Sequence, residues 1–168
     1  TLEWIGAETF KGCTSLTSVT ISGSETSVGY GAFSGCSALE SLTVPLNWCP
    51  LGYIFGGEEY TGAVKIWQWN DSERDDLSSY YIPSTLRHVT VTGDEIPFGA
   101  LDGCNTIETV VIEDSVNSIG ESAFESCTGL KSITIGNGVT SIGRDAFLNC
   151  KSLTSITIPD SVTSIGSD

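Results

Sequence analysis

Apolar and polar positions alternate along several short segments of the 168-residue chain. Near the C-terminal end, Ile156 and Ile158 alternate with Ser155 and Thr157. A period of two, carried by β-branched residues, predicts a short strand with one buried and one exposed face. A turn and a second short apolar stretch follow this segment. The pattern therefore predicts many short strands rather than long elements.

The same pattern of residues returns every 23 positions. Cys13 and Cys36 are 23 residues apart, and so are Cys104 and Cys127, and Cys127 and Cys150. Each cysteine lies in a fixed frame of apolar residues and glycine. The clearest copy contains Ile119, Gly120, Ala123, Phe124, Cys127, Leu130, Ile133 and Ile135, and it is matched by Ile142, Gly143, Ala146, Phe147, Cys150, Leu153, Ile156 and Ile158. A constant period over such a frame is the signature of a repeat architecture.

One repeat of this kind cannot bury its apolar side alone. Stacked repeats give each apolar residue an equivalent neighbour above and below, at the ~4.8 Å spacing of adjacent strands. The sequence therefore predicts an α/β repeat solenoid, right-handed, with about 23 residues per coil, short parallel strands and little helix. The stretch Ala-Phe-x-x-Cys-x-x-Leu has apolar residues spaced by three and four and predicts one tight helical turn in each coil.

The 23-residue period is interrupted once, in the middle of the chain. The first half of a repeat ends near Phe55, and the second half resumes at Leu86. We interpret residues 1–168 as a single solenoid segment with an inserted loop at about 56–82. Because the chain contains no Met, we also expect it to be a piece of a longer protein.

The frame Leu-x-x-Ile-x-Ile-Pro-x-x-Val-x-x-Ile-Gly, which occupies residues 153–166, continues as Ile-Gly-x-x-Ala-Phe-x-x-Cys at 142–150. It resembles the BspA-like leucine-rich repeats of bacterial surface proteins. The inserted loop is similar to a variant that recurs in that family. The resemblance implies a secreted or surface-anchored protein whose repeats act in adhesion or partner binding. It brings no catalytic residues and no cofactor, so we expect a protein that is not an enzyme.

The excess of acidic over basic residues restricts the classes of partner that the protein can bind. Seven Lys and Arg residues stand against 21 Asp and Glu residues, which gives a net charge of −14 and a pI near 4.1. Such a chain repels phosphate backbones and anionic lipid, so nucleic-acid binding is disfavoured. No apolar run approaches the ~18 residues that a membrane span needs, so we expect no membrane insertion by this segment.

The six cysteines invite a metal or disulfide interpretation. Zinc sites use pairs with the spacing Cys-x-x-Cys, which is absent from this sequence. Five of the six occupy one repeat position between Phe and Leu, where a small apolar thiol packs well. We therefore favour buried free thiols, with a disulfide between adjacent coils as the alternative. Cys49 is out of phase, and it is the one thiol whose reactivity we would test.

Two further features suggest chemistry but lack a complete motif. His88 is the only histidine, and its register predicts an outward position level with Ser41 and Thr109. A catalytic triad also needs an orienting carboxylate and an oxyanion site, and no sequence signature supplies them. The acidic stretch 71–76 resembles a calcium loop, but it has Asp76 where such loops have Gly and Ile82 where they have Glu. We interpret it as a solvated loop.

The candidate binding residues fall into two groups. The first is a row of threonines on the outward face of the strands, with His88 on the same face, and it offers an uncharged surface to a protein partner. The second is a set of aromatic residues in the insertion, which either stack on sugar rings or pack the loop onto the solenoid. The two groups are Thr20, Thr43, Thr90, Thr134 and Thr157, and Trp67, Trp69, Tyr80 and Tyr81.

We favour a non-enzymatic module that binds a protein partner or a host surface component through the sheet face and the inserted loop. The alternatives are a glycan-binding module centred on Trp67 and Trp69, and a spacer that displays neighbouring domains. The family resemblance places the protein outside the cell or at the cell surface.

Overall fold

The repeat period governs the backbone throughout the computed structural model. The structure describes residues 2–23, 25–47, 49–70 and 76–166. The chain winds into a β-solenoid of about seven turns, with successive turns about 23 residues apart. Thirteen strands and one short 3-10 helix, at Leu51–Ile54, make up its regular structure within these residues. The strands are β1 (Trp4–Ile5), β2 (Ser18–Thr20), β3 (Ser27–Val28), β4 (Ser41–Pro45), β5 (Ala63–Trp69), β6 (Leu77–Pro83), β7 (His88–Thr92), β8 (Glu95–Ile96), β9 (Thr109–Ile112), β10 (Ser118–Ile119), β11 (Ser132–Thr134), β12 (Ser141–Ile142) and β13 (Ser164–Ile165).

The strands stack in two columns of parallel strands. The first column is one five-stranded sheet in the order β11-β9-β7-β4-β2. The second column is split into two pieces, β1-β3 and β8-β10-β12-β13. In both columns, most facing residues are 23 positions apart, as Ser18 faces Ser41 and Ser118 faces Ser141. The exceptions flank β7, where Ser41 faces His88 across the insertion and His88 faces Thr109, 21 positions on. The predicted repeat solenoid with short parallel strands and little helix is therefore confirmed.

Alternation along each strand places the core inside the coils. In β4 the side chains of Leu42 and Val44 are buried, whereas Ser41 and Thr43 remain partly exposed. The phenylalanines of adjacent coils stack, with the ring centroids of Phe124 and Phe147 5.3 Å apart and the planes 8° apart. Each coil thus buries the apolar residues of its neighbour, as repeat proteins require. Within the described residues, no helix has the length and apolar character needed to cross a membrane.

The segment predicted as a tight helical turn forms a run of β-turns instead. Two residues in each of five coils have a positive φ, which interrupts a right-handed helix. In each of these coils, the two residues come two and six positions after the Gly of the repeat frame. In one coil, Pro97 stands in place of that Gly. The interruption therefore recurs at the same point of each of these coils. The pairs are Glu8 and Gly12, Gly31 and Gly35, Gly99 and Gly103, Ser122 and Ser126, and Asp145 and Asn149.

These turns stack through backbone hydrogen bonds between coils. The Phe10 N–H donates to the Ala32 carbonyl over 2.8 Å, and the Phe124 N–H donates to the Ala146 carbonyl over 2.8 Å. The turn column is therefore a third ladder beside the two columns of strands. Its bonds satisfy the backbone groups that a helix would have satisfied internally.

Strands β5 and β6 form an antiparallel hairpin within the predicted insertion. Its inner face contacts the solenoid through Gln68, whose side chain is fully buried. Gln68 Oε1 accepts a hydrogen bond from the Gly52 N–H over 2.7 Å, and Gln68 Nε2 donates to the carbonyls of Ala100 and Asp102 over 3.3 and 3.0 Å. The side-chain amide of Gln68 thus bonds to two segments of the turn column, at Gly52 and at 100–102, as a peptide group lying between them would. It holds the hairpin in one position.

One predicted strand does not form. Residues 153–159 have no strand assignment, and Ile156 and Ile158 are 38% and 39% exposed. In the preceding coil the Lys131 N–H donates to the Glu108 carbonyl over 2.8 Å, but Thr154 makes no equivalent bond to Lys131. The alternation of side chains was present, but a strand also needs this ladder of hydrogen bonds.

Candidate functional site

The outward face of the five-stranded sheet carries two parallel rows of side chains, which we call the sheet face. Because the register advances by one coil at a time, equivalent residues lie one above the other. The rows are Ser18, Ser41, His88, Thr109 and Ser132, and Thr20, Thr43, Thr90, Val111 and Thr134. Neither row contains an acidic residue, a lysine or an arginine.

The structure brings together four of the five predicted threonines. Thr20, Thr43, Thr90 and Thr134 lie in one row, whereas Thr157 lies in the segment that forms no strand. Sequence reasoning missed Val111, which lies between Thr90 and Thr134 and is 41% exposed. The sequence could have indicated this residue, because position 111 lies one repeat, 23 residues, before Thr134. The row therefore contains one exposed apolar side chain, on the strand next to the edge strand β11.

His88 lies on the sheet face, as its register predicts. Its Nδ1 is 2.6 Å from the Thr109 hydroxyl oxygen, and the direction of that hydrogen bond depends on the imidazole tautomer. The pair lies on an open, exposed surface. Proton transfer from a nucleophile requires a substrate cavity and donors that stabilise an oxyanion. The arrangement of His88 and Thr109 fits recognition of a polar group better than catalysis.

A charged row borders the sheet face at the N-terminal ends of the strands. Glu108 accepts a hydrogen bond from Lys131 Nζ over 2.7 Å and lies 3.5 Å from Arg87 Nε. The hydrogen bond from Lys131 is the main reason that the pKa of Glu108 lies below its usual range. The sheet face is thus a neutral patch with a paired, charged edge.

The hairpin divides the predicted aromatic group between its two faces. Tyr80 is paired with Ile66, and both side chains point towards the solenoid and are buried. The Tyr80 hydroxyl donates to Asn70 Oδ1 over 2.6 Å. The structure therefore separates Tyr80 from the aromatic residues that a sugar would meet on the outer face.

The outer face of the hairpin carries Trp67, Trp69 and Tyr81. Trp67 is 53% exposed, whereas Trp69 and Tyr81 are half-buried. Lys65 Nζ lies 4.5 Å from the centroid of the Trp67 ring and 5.8 Å from that of Tyr81. The cation occupies the ring faces that a sugar would stack on.

The cysteines of the repeat frame are all free thiols. Cys36, Cys104 and Cys127 are buried, in agreement with the packing interpretation, but Cys13 is exposed and Cys150 is half-buried. The Cys127 thiol donates to the Leu101 carbonyl of the preceding coil over 3.0 Å. Burial raises the pKa of Cys104 and of Cys127 well above the usual range. The buried thiols act as small apolar side chains, and those of Cys36 and Cys127 also donate a hydrogen bond to a carbonyl of the preceding coil.

Cys49 is half-buried, and burial raises its pKa to about 11. A thiol with this pKa carries little thiolate near neutral pH and is a weak nucleophile. The acidic stretch predicted as a solvated loop lies outside the described residues, apart from Asp76. Within the part of the chain that the structure describes, no three His, Cys, Asp or Glu side chains form a group able to hold a metal ion.

Comparison with known proteins connects this architecture to a family. The sequence profile of the BspA-type leucine-rich repeat region matches six copies, over residues 1–54 and 94–168. A search of curated proteins found no significant match.

Solved structures of bacterial leucine-rich repeat proteins are similar to the chain. A leucine-rich repeat protein from Eubacterium ventriosum is 23% identical with a TM-score of 0.57, over 86% of this chain and 33% of that one. The leucine-rich repeat protein of T. pallidum is 28% identical with a TM-score of 0.48, over 60% and 50% of the two chains. A leucine-rich cell surface protein from Faecalibacterium prausnitzii is 27% identical with a TM-score of 0.47, over 97% and 41%. The present chain spans a third to a half of their lengths.

Proposed function

We propose, since this chain belongs to the BspA-type leucine-rich repeat family, that it is a non-catalytic module that binds a protein partner through its sheet face. Leucine-rich repeat proteins are in general protein-interaction modules. The observation that carries the proposal is the neutral sheet face with the exposed apolar side chain of Val111 on it, on a chain whose net charge is −14. A surface that is depleted of charge and exposes an apolar side chain is typical of a protein interface.

The size of the sheet face indicates which neighbouring residues take part. Five strands at a spacing of ~4.8 Å span about 19 Å, and the two rows lie roughly 7 Å apart. That area is smaller than the ~800 Å² that each partner buries in a standard interface. The partner must therefore also cover the charged edge formed by Arg87, Glu108 and Lys131. Those three charges would set its orientation.

We place this module in a secreted protein or at a bacterial cell surface, as part of the same proposal. The support is family membership. Antibody labelling of intact cells of the source organism, compared with permeabilised cells, tests it. Signal from permeabilised cells alone would contradict it.

A panel of purified extracellular proteins, measured by surface plasmon resonance, tests the binding function. We expect Val111→Arg to abolish binding to a protein that the wild type recognises, because a large cation would replace the exposed apolar side chain of the sheet face. Thr140→Arg is the matched control, since Thr140 is exposed beside the second column of strands. Binding that survives Val111→Arg would exclude the sheet face. A chain that binds no member of the panel would favour the spacer alternative.

A glycan-binding module centred on Trp67 and Trp69 is the second candidate. The observation in its favour is the 53% exposure of Trp67 on the outer face of the hairpin. Binding to a glycan array that is lost in both Trp67→Ala and Trp69→Ala would support it. The Lys65 ammonium beside the Trp67 ring weighs against it, because that contact must break before a sugar can stack.

A further inference from the structure

A cleft of about 500 Å³ opens beside the break in the second column of strands. It lies between strand β3 and the end of the hairpin at which β5 is connected to β6, and its lining does not include the two rows of the sheet face or Trp67. Ligand sites that enclose a small molecule have volumes of ~300–1,000 Å³ and combine apolar walls with a few polar groups. The residues that matter here are Trp4, Val28, Pro50, Tyr53, Asn70 and Asp76.

Hydrogen bonds fix the polar wall of this cleft. Asn70 Nδ2 donates to Asp76 Oδ2 over 2.8 Å and to the Ser78 hydroxyl over 2.9 Å. The Tyr80 hydroxyl donates to Asn70 Oδ1 over 2.6 Å, which settles the orientation of the amide. Among the described residues, no donor binds the other carboxylate oxygen of Asp76. Asp76 therefore presents to the cleft a carboxylate oxygen that can accept a hydrogen bond, on a side chain that Asn70 holds in place.

Another part of the lining is aromatic and apolar. Trp4 is 61% exposed, although it is one of the largest apolar side chains in the chain. Val28, which is buried, and Pro50 add further apolar surface. An indole combines a large flat apolar face with a polar N–H, and it suits a ligand that has both kinds of surface.

The charge of the lining restricts the ligand class. The described residues that line the cleft include no lysine and no arginine, and the one charged side chain among them is Asp76. A phosphate or carboxylate ligand would find no cation among these residues and would meet a carboxylate. The matching ligand is neutral, has hydroxyl groups that donate to a carboxylate, and has a flat C–H face. A pyranose has these properties.

We propose that this cleft binds a neutral saccharide, with one ring stacked on Trp4 and its hydroxyl groups donating to Asp76. This inference is independent of the protein interface on the sheet face. It also differs from the glycan site considered on the outer face of the hairpin. The three surfaces share no residue among those whose substitution tests them.

An array of neutral oligosaccharides, followed by calorimetric titration of the best ligand, tests the proposal with the whole chain. We expect Trp4→Ala to weaken the affinity at least about tenfold through loss of stacking. We expect Asp76→Asn to weaken it by about five- to tenfold, because a neutral amide accepts a weaker hydrogen bond than a carboxylate. Asp76→Asn is nearly isosteric, and both residues are exposed, so neither variant endangers the fold.

Trp67→Ala and Val111→Arg are the control variants. The proposal requires that both keep full affinity for the saccharide. Binding lost in Trp67→Ala and retained in Trp4→Ala would overturn it in favour of the outer face of the hairpin. An array on which the wild type binds no neutral saccharide would overturn it outright. Loss of protein binding in Val111→Arg with saccharide binding intact would show that the two sites act separately.

Discussion

Gln68 can be replaced by methionine, which keeps the length of the side chain and removes its amide. The wild-type amide accepts from the Gly52 N–H over 2.7 Å and donates to the carbonyls of Ala100 and Asp102. In Gln68→Met the buried Gly52 N–H has no acceptor. The Ala100 carbonyl keeps the bond from the Leu51 N–H, whose length is 2.7 Å.

The expected cost follows from these contacts. A buried donor without a partner costs roughly 1–3 kcal/mol, and the lost hydrogen bond to the Asp102 carbonyl a further ~1 kcal/mol, whereas the Ala100 carbonyl keeps another donor. We therefore expect Gln68→Met to lower the free energy of unfolding by about 2–4 kcal/mol. That is a large share of the ~5–15 kcal/mol that stabilises a typical domain.

Urea denaturation followed by tryptophan fluorescence measures the global effect, and amide hydrogen exchange at Gly52 measures the local one. Lys65→Met is the matched control, because Lys65 lies on the same strand but is exposed. We expect the control to change stability by less than about 1 kcal/mol. Equal stability of Gln68→Met and the wild type, with slow exchange at Gly52 in both, would refute the role given to this amide.

Three further predictions concern the coils. A Cβ added at Gly29 would lie 2.5 Å from a backbone nitrogen of the preceding coil, whereas one at Gly12 meets nothing within 4 Å. In thermal denaturation, Gly29→Ala should therefore lose several kcal/mol, and Gly12→Ala only the ~1 kcal/mol of its positive φ. In native protein at pH 8, a thiol reagent should modify the exposed Cys13 well before Cys127, whose pKa is raised by burial. Glu108→Gln should lower the melting temperature at pH 7, and this difference should shrink as the pH falls below the unfolded value of ~4.3. A depressed pKa stabilises above the unfolded value, and its effect is lost as the pH falls through the folded value.

Each of these measurements has a contrary result. Equal melting temperatures for the two glycine variants would mean that the coils separate without cost. Labelling of Cys127 as fast as Cys13 would mean that the coils open readily in the native state. A difference between Glu108→Gln and the wild type that does not shrink as the pH falls would show that the glutamate acts through packing and not through its charge.

The coil itself was predictable because one period fixes both register and burial. Equivalent positions of the repeat frame face each other, so Ser41 and His88 could be placed together across the insertion once the frame was recognised at both ends. Val111 followed from the same rule. These features depend on the periodicity of the repeat, which recurs many times along the sequence.

The hairpin was less predictable, because it occurs only once within the repeat frame and no second copy in the sequence indicates how its strands pair. The partner of Ile66 depends on the exact length of the connection between β5 and β6, and a shift of one residue would exchange the two faces. The sequence therefore did not indicate that Tyr80 points inward. The role of Gln68 was equally hidden. It depends on two segments, at 52 and 100–102, that lie far from it in the chain.

Two sites in each of five coils have a left-handed backbone, and the coils meet this requirement in different ways. Gly31 and Gly35 adopt it without steric cost, whereas Ser122 and Ser126 accept a modest strain. A glycine also adds freedom to the unfolded chain, which offsets part of this difference in stability. Mutation can therefore exchange glycine for a small polar residue at these sites at a modest cost. The sequence of the turn column can therefore drift while the pitch of the coil is retained.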